Sequence, residues 1–325
     1  MYETLSSLDH VRLNFSSESL HALNIAIGII MFGVALEIKL SQFKDLINNP
    51  KSAIIGFGSQ FLVLPFLTFL LTILLRNYLT PTMALGMILV AACPGGNFSN
   101  FISSLAKANV ALSVSLTAIA TVSAVVLTPL NFSLWGNWAI SIYSNADANT
   151  LVRPLDIDVY QMFKTVFIIL GLPLILGLFI SNNYPKFTLK IVRPIKQFSI
   201  VIFAIVVIMA LMKNADHMGS YLKYVFVIVL VHNALALGTG YLLGVVFKRP
   251  KADRKTLSIE TGIQNAGLAL VLIFNPKIFP PEMELGGMAI IAAWWGIWHM
   301  LAGIILAGYW TKFTFGLSKK TQAAS

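Results

Sequence analysis

The chain is predicted to be an all-α integral membrane protein, a single membrane domain over 1–325 with nine transmembrane helices, two of them discontinuous. Three observations carry the prediction. Hydrophobic residues make up 57% of the sequence and charged ones only 11%, with a mean hydropathy of +0.79, a combination ordinary soluble domains do not reach. Apolar runs close to the bilayer-spanning length of about 20 residues recur from end to end. Two of those runs are interrupted midway by glycine, proline and side-chain amides.

The first run, 21–38, follows a segment with acids and no apolar core. It ends in Glu-Ile-Lys rather than at a small-residue cleavage site, so it is expected to stay in the membrane. Runs at 53–75 and 83–105 come next, the latter containing ACPGGNFSNF at 92–101; the run at 110–131 opens with ALSVSLTAIAT. The polar stretch 132–160 is too short for a domain, and its Trp135, Trp138, Tyr143 and Tyr160 read as interfacial anchors. Runs at 161–181, 197–213 and 222–247 precede 256–275, which holds SIETGIQNAGLALVLIF at 258–274, and 286–310 is the last. The tail LSKKTQAAS reads as disordered.

Loops 39–52, 104–109, 181–196 and 248–255 and the tail from 311 hold 16 of the 23 Lys and Arg residues. The positive-inside rule therefore puts the tail in the cytoplasm and the N-terminus outside. Most acids, among them Glu3, Asp9, Glu18, Asp147, Asp156, Asp158, Asp216, Glu282 and Glu284, fall on the outer side. The expected setting is a bacterial inner (plasma) membrane. The net charge of +10 does not indicate nucleic acid, because the basic residues are spread over short loops instead of one aromatic-studded face. The single Cys93 excludes an intramolecular disulfide and a multi-cysteine metal site.

The interrupted runs carry the chemistry. Pro94, Gly95 and Gly96 precede Asn97, Ser99 and Asn100, and Gly262 and Gly267 flank Gln264 and Asn265. The two runs lie five spans apart and cross in opposite directions, as two five-helix repeats of opposite topology would after losing their first helix. Such paired breaks point to a transporter site at the bilayer midplane, where irregular backbone survives only inside protein or beside a wet cavity. Glu260 is a carboxylate at that depth, which marks function. Freed carbonyls, hydroxyls, amides and one carboxylate are hard oxygen donors suited to a small hard cation, not to zinc or copper. Ser113 and Thr117, four apart, share a helix face with each other and continue the theme, and Gln60 adds an amide. If two sodium ions bind, Glu260 balances one and an anionic substrate the other. Half-helix N-termini near Asn97 and Asn265 would offer that anion positive dipole ends.

Each residue has a plainer alternative. Glu260 lies five residues beyond Lys255, about 7.5 Å of helical rise, so it could snorkel to the surface. Ser113 and Thr117 could be packing hydroxyls, and His232 and His299 interhelical hydrogen-bonding residues rather than proton relays or substrate contacts. Glu37, near Lys39 at a helix end, reads as interfacial and structural. Cys93 has no evident base and reads as packing. Trp294, Trp295 and Trp298 either pack the last helix or line a cavity. Asn14-Phe15-Ser16 and Asn131-Phe132-Ser133 match the glycosylation acceptor pattern.

CPGGNFSN at 93–100, LSVSLT at 112–117 and ETGIQN at 260–265, in that order, resemble the motifs of the bile acid:sodium symporter family, which includes intestinal and hepatic bile acid carriers and their bacterial homologues. The resemblance runs from GIIMFGVALEIK at 28–39 to the last helix. It implies an inverted-repeat fold with two crossing discontinuous helices, a panel of about 21–38, 161–181 and 197–213, and a core of about 53–131 and 222–310. It implies two sodium ions, one at Ser99, Asn100, Ser113, Thr117 and Glu260. The other would use Gln60, Glu260 and Gln264 with the carbonyls of Thr261 and Ile263. Substrate would lie beside the crossover near Asn97, Phe98 and Asn265, with His299 as a further contact. Two departures stand out. Many bacterial relatives have ten helices, and NFSN stands here where bile acid carriers usually have TASN. Phe98 narrows the implied pocket toward something smaller than a sterol, such as the small carboxylates other members carry.

The expected function is a sodium-coupled symporter, not an enzyme, importing an organic anion such as a bile acid or smaller carboxylate by alternating access. Its partners are sodium, the anion and membrane lipid, with no nucleic acid. The alternative is a proton-coupled organic anion transporter in which Glu260 titrates. An intramembrane enzyme would need a nucleophile and base or a metal triad facing a cavity, and the sequence supplies no such set. A passive channel gives no reason for the buried carboxylate.

Overall fold

The computed structural model describes residues 2, 5–6, 17–38, 50–96, 98–146, 159–212, 215–275, 278–279, 283 and 285–312, and every regular element among them is helical. In order these are α1 (Ser17–Glu37), α2 (Pro50–Leu74), α3 (Pro81–Ala92), α4 (Phe98–Leu105), α5 (Val110–Ala146) and α6 (Val159–Asn183). They continue as α7 (Pro185–Met212), α8 (Ala215–Val246), α9 (Lys251–Gly262), α10 (Ala266–Ile273) and α11 (Gly286–Thr311). Among the described residues five helices are long and apolar enough to cross a membrane: α2, Val110–Ser144 of α5, α6, Tyr221–Val246 of α8, and α11. The runs predicted at 83–105 and 256–275 are each split, into α3 with α4 and α9 with α10.

Local chemistry sets the ends. Thr80 caps α3 by accepting from Met83 N at 3.3 Å with Pro81 next, and Asn109 caps α5 by accepting from Leu112 N at 3.1 Å. Lys107, Lys248 and Lys312 follow α4, α8 and α11 in the left-handed conformation, at φ 52, 54 and 52°. Glycine is the usual residue there. Lysine brings a positive charge to the negative end of each helix dipole, so three of the lysines that set the predicted orientation also terminate helices. In α2 and α6 the Leu-Pro steps at Leu64-Pro65 and Leu172-Pro173 are each preceded by a π-helical turn, Ser59–Val63 and Phe167–Gly171. The extra residue accommodates a proline that can neither donate nor tolerate the preceding turn's carbonyl.

Two expectations need correction. The stretch 132–160 is not a loop from its start, because α5 runs on to Ala146, 37 residues or about 55 Å. Phe132, Trp135, Ala139 and Tyr143 recur at helical spacing and are buried or half-buried; Trp135 and Trp138 meet Phe69 of α2 at 5.2 and 5.4 Å, the Tyr143 hydroxyl donates to Thr72 O at 2.9 Å, and Phe132 meets Phe279 at 6.0 Å. Trp138 is exposed as an interfacial anchor should be, but Tyr143 is buried. Asn131 is buried in that helix and accepts from Trp135 Nε1 at 3.3 Å, so it is not a glycosylation acceptor; Asn14 lies outside the described residues. In the same way α7 begins at Pro185 instead of 197 and carries Pro194 within it.

α1 packs against α6 and α7, while α8 and α9 form the most extensive helix pair. That pair is close because Gly240 admits the α9 backbone: a Cβ there would overlap the Leu257 carbonyl. Ser258 Oγ donates across to Leu237 O at 2.7 Å. Every residue of α3 is buried, and α10 is buried over all but Gly267. Both are encased by α11 and their neighbours, as helices apolar on all sides must be.

Candidate functional site

The two breaks meet. Residues 93–96 leave α3 extended, residues 263–265 leave α9 extended, and Gly95 pairs with Gln264 as an antiparallel bridge. Gly96 N donates to Ile263 O and Asn265 N to Pro94 O, each at 2.8 Å, so the broken helices satisfy one another's backbone where neither can do so alone. The glycines permit the approach: a Cβ on Gly95 would sit 3.1 Å from Glu260 Oε2 and 3.2 Å from Gln60 Nε2. Gly262 ends α9 as expected. Gly267 is not a break, because Asn265 caps α10 by accepting from Leu268 N at 3.0 Å and the helix resumes at Ala266.

The five residues expected at the first cation site converge. Glu260, 1% exposed, accepts at Oε1 from Ser99 Oγ and Ser113 Oγ, both at 2.5 Å. Thr117 Oγ1 reaches Oε1 at 3.2 Å and Oε2 at 3.0 Å. Asn100 Oδ1 lies 3.0 Å from Ser113 Oγ and 3.3 Å from Thr117 Oγ1, within reach of whichever hydroxyl hydrogen is not on Glu260, and Ser99 Oγ and Thr117 Oγ1 are 3.2 Å apart. The carboxylate thus points into the protein instead of snorkelling. Among the described residues its hydrogen-bond partners are all hydroxyls, so nothing cationic neutralises it there.

The second expected set is only partly assembled. Gln60, in the π-turn of α2, donates to Gln264 Oε1 at 3.5 Å, and Ser59 Oγ lies 2.8 Å from Thr261 Oγ1. Gln264 Nε2 donates to the Thr261 carbonyl at 2.8 Å and Gly96 N to that of Ile263, which leaves one lone pair on each.

Of the predicted substrate contacts, Asn97 lies outside the described residues. Phe98 is half-buried against Ile102, Ile259, Ile263 and Ala307, and Asn265 spends its side-chain oxygen on the cap. His299 is buried 6.5 Å from the Trp295 ring, and its Nδ1 has no hydrogen-bond partner among the described residues. His232 makes the interhelical bond expected of it, with Nε2 2.8 Å from Thr68 Oγ1. Trp294 and Trp298 pack α11 against Phe226 of α8. A cavity of about 620 Å³ lies elsewhere, at the ends of α1, α6 and α7 and lined by Leu36, Glu37 and Ser181 among others, none of them a predicted substrate contact.

Asp253 is a second buried carboxylate that none of the sequence motifs includes. It lies two turns before Glu260 on α9 and is bonded to Ser52 and Asn109. The spacing of seven from Glu260 was the available signal, because it puts both carboxylates on one helix face.

An apolar chain, helical in every regular element described, whose helix breaks pair beside a hydroxyl-ringed carboxylate defines a multi-pass membrane transport protein. Residues 24–221 match the Sodium Bile acid symporter family, and the chain belongs to it. It is 31% identical over 322 residues to the "Uncharacterized sodium-dependent transporter YocS" of Bacillus subtilis (strain 168), covering 96% of this chain and 90% of that protein. It is 27% identical to the "Probable sodium/metabolite cotransporter BASS2, chloroplastic" of Oryza sativa subsp. japonica and 30% identical to the "Sodium/bile acid cotransporter 4" of Mus musculus. Those matches cover 83% and 82% of this chain but only 63% and 59% of the plant and mouse proteins. The relatives are sodium-dependent transporters, not enzymes.

Proposed function

We propose that the chain imports a small organic anion by symport with sodium, using alternating access. The observation that carries this is the ring of Ser99, Asn100, Ser113 and Thr117 oxygens around the buried Glu260. A hydroxyl that now donates to the carboxylate can rotate and present a lone pair to a cation, so the same five residues serve an ion-free and an ion-bound arrangement. Gln60, Gln264 and the remaining lone pairs on Thr261 and Ile263 would form the second sodium site beside it. The anion would bind by Asn97, Asn265 and His299, with Phe98 favouring a molecule smaller than a sterol.

In this reading the chain crosses the membrane nine times as two oppositely oriented repeats. α1, α6 and α7, which pack on one another, form the panel that moves against a core built round the crossover. A tenfold sodium gradient supplies about 1.4 kcal/mol per ion, and 100 mV acting on the net positive charge of two sodiums and one monoanion about 2.3 kcal/mol. The sum, roughly 5 kcal/mol, sustains three to four decades of accumulation.

The test is uptake into proteoliposomes of small monocarboxylates and a bile acid, with an inward sodium gradient, choline replacement and a clamped potential. Sodium-dependent uptake that carries positive charge inward is expected. Currentless uptake of a monoanion would sink the two-sodium stoichiometry. Uptake that persists in choline and rises with an inward proton gradient would sink sodium coupling in favour of a titrating Glu260.

A further inference from the structure

We propose that Asp253 is a positioning residue for the cation site, acting as a clasp that fixes the register of α2, α4 and α5 along α9; the inference rests on the sodium reading above. Glu260 accepts from helices remote in sequence, Ser99 on α4 and Ser113 and Thr117 on α5, while Gln60 on α2 bonds Gln264 in the proposed second site. A slide of any of these helices along α9 by one residue, about 1.5 Å, would take its side chain off its partner in the site. Something must hold the axial register, and the structure assigns that work to the first turns of α9.

The connection 106–109 between α4 and α5 is tied to α9 by four bonds. Lys255 Nζ donates to Ala106 O at 2.9 Å, Asn109 N to Ala252 O at 3.4 Å, Asn109 Nδ2 to Asp253 Oδ1 at 2.9 Å, and Thr256 Oγ1 to Asn109 O at 2.9 Å. Asn109 meanwhile caps α5 with its side-chain oxygen. The side chain that caps the helix carrying Ser113 and Thr117 therefore also touches Asp253. The other Asp253 oxygen, Oδ2, accepts from Ser52 Oγ at 2.6 Å and so pins α2, about two turns before Ser59 and Gln60. One carboxylate thus divides its two oxygens between the connection whose helices bond Glu260, about 10.5 Å further along the same helix face, and α2, whose Gln60 bonds Gln264.

Asp253 is not itself placed as a cation ligand. It lies in the first turn of α9, where the helix dipole favours its negative charge, and it is bonded to an amide N–H, a donor that turns its hydrogen and not a lone pair toward the carboxylate.

The experiment measures melting temperature against sodium chloride concentration, balanced with choline chloride, for the purified full chain and for Asp253→Asn, Asp253→Asn with Asn109→Asp, Ser52→Ala and Glu260→Gln. Asparagine has one side-chain acceptor, which the Asn109 amide takes; its N–H then faces Ser52, whose hydroxyl must turn to accept and loses the acceptor for its own hydrogen, and both bonds lose their charged partner, so Asp253→Asn should raise the half-saturating sodium concentration about tenfold. The swap restores every donor to an acceptor, and aspartate still caps α5, so it should return to within about threefold of wild type. A lower melting temperature in choline with an unchanged half-saturating concentration would show that Asp253 serves folding alone and would overturn the proposal, as would no change in either or a swap no better than the single variant. If Asp253→Asn fails to fold, Ser52→Ala decides: a weaker sodium response supports the clasp and an unchanged one overturns it. Absence of a sodium response in the wild type would overturn the sodium reading and this inference together. A wild-type response lost in Glu260→Gln but intact in Asp253→Asn would overturn the clasp alone.

Discussion

Replacing Glu260 by glutamine should leave the sodium-free protein close to its original stability and abolish its response to sodium. In the wild type the carboxylate, 1% exposed, is held by Ser99, Ser113 and Thr117. Hydrogen bonds to a charged acceptor contribute about 1.5–3 kcal/mol and those to a neutral one about 0.5–1.5, so three weakened bonds lose roughly 3–5 kcal/mol. Removing a buried charge recovers a desolvation cost of several kcal/mol. The terms offset to within about 1 kcal/mol. With an unfolding entropy of about 2.1 cal/mol/K per residue over 325 residues, that is a shift of about 1.5 °C either way in choline. Sodium at a hundred times its dissociation constant adds about 2.7 kcal/mol, or about 4 °C, to the wild type and nothing to the variant. The assay is thermal melting in sodium, potassium and choline at matched ionic strength. A variant that keeps the 4 °C rise, or a wild type that gains as much from choline, would refute a cation site built on Glu260.

Other outcomes follow from single contacts. Ser113→Ala should raise the half-saturating sodium concentration about tenfold, by loss of a hydroxyl within reach of both Glu260 and Asn100, whereas Ser103→Ala on α4, a buried hydroxyl without a hydrogen-bond partner among the described residues, should leave it unchanged; the same titration compares them. Thr68→Val strips His232 Nε2 of its partner and should cost about 1–3 kcal/mol in both choline and sodium, with no change in sodium affinity. Gly240→Ala drives a Cβ into the Leu257 carbonyl and should lower the melting temperature by about 1.5–4 °C through overpacking of α8 on α9.

The parts of this molecule that were legible in the sequence are those whose cause is local. Bilayer-length apolar runs report their own burial, and Pro94-Gly95-Gly96 and Gly262 report broken helix because their backbone chemistry decides it wherever they sit. Ser113 and Thr117 declare a shared face by their spacing alone. What was missed depends on partners far along the chain. α5 outlasts its apolar run because Phe69 and Thr72 on α2 receive Trp135, Trp138 and Tyr143, a contact that no window over 132–160 contains. Asp253 shows the same limit more sharply. In sequence it sits between Lys251 and Arg254, the pattern of a solvated charge. It is buried because a connection 144 residues earlier folds over it. Glu260 sits among apolar and polar-uncharged neighbours and so announces itself as costly, whereas Asp253 is masked by the basic residues beside it. Two carboxylates on one face of α9 thus differ in legibility because of their neighbours, not their burial. An acid embedded in a cytoplasmic basic segment is therefore worth testing for helix-face register with any intramembrane carboxylate that follows it.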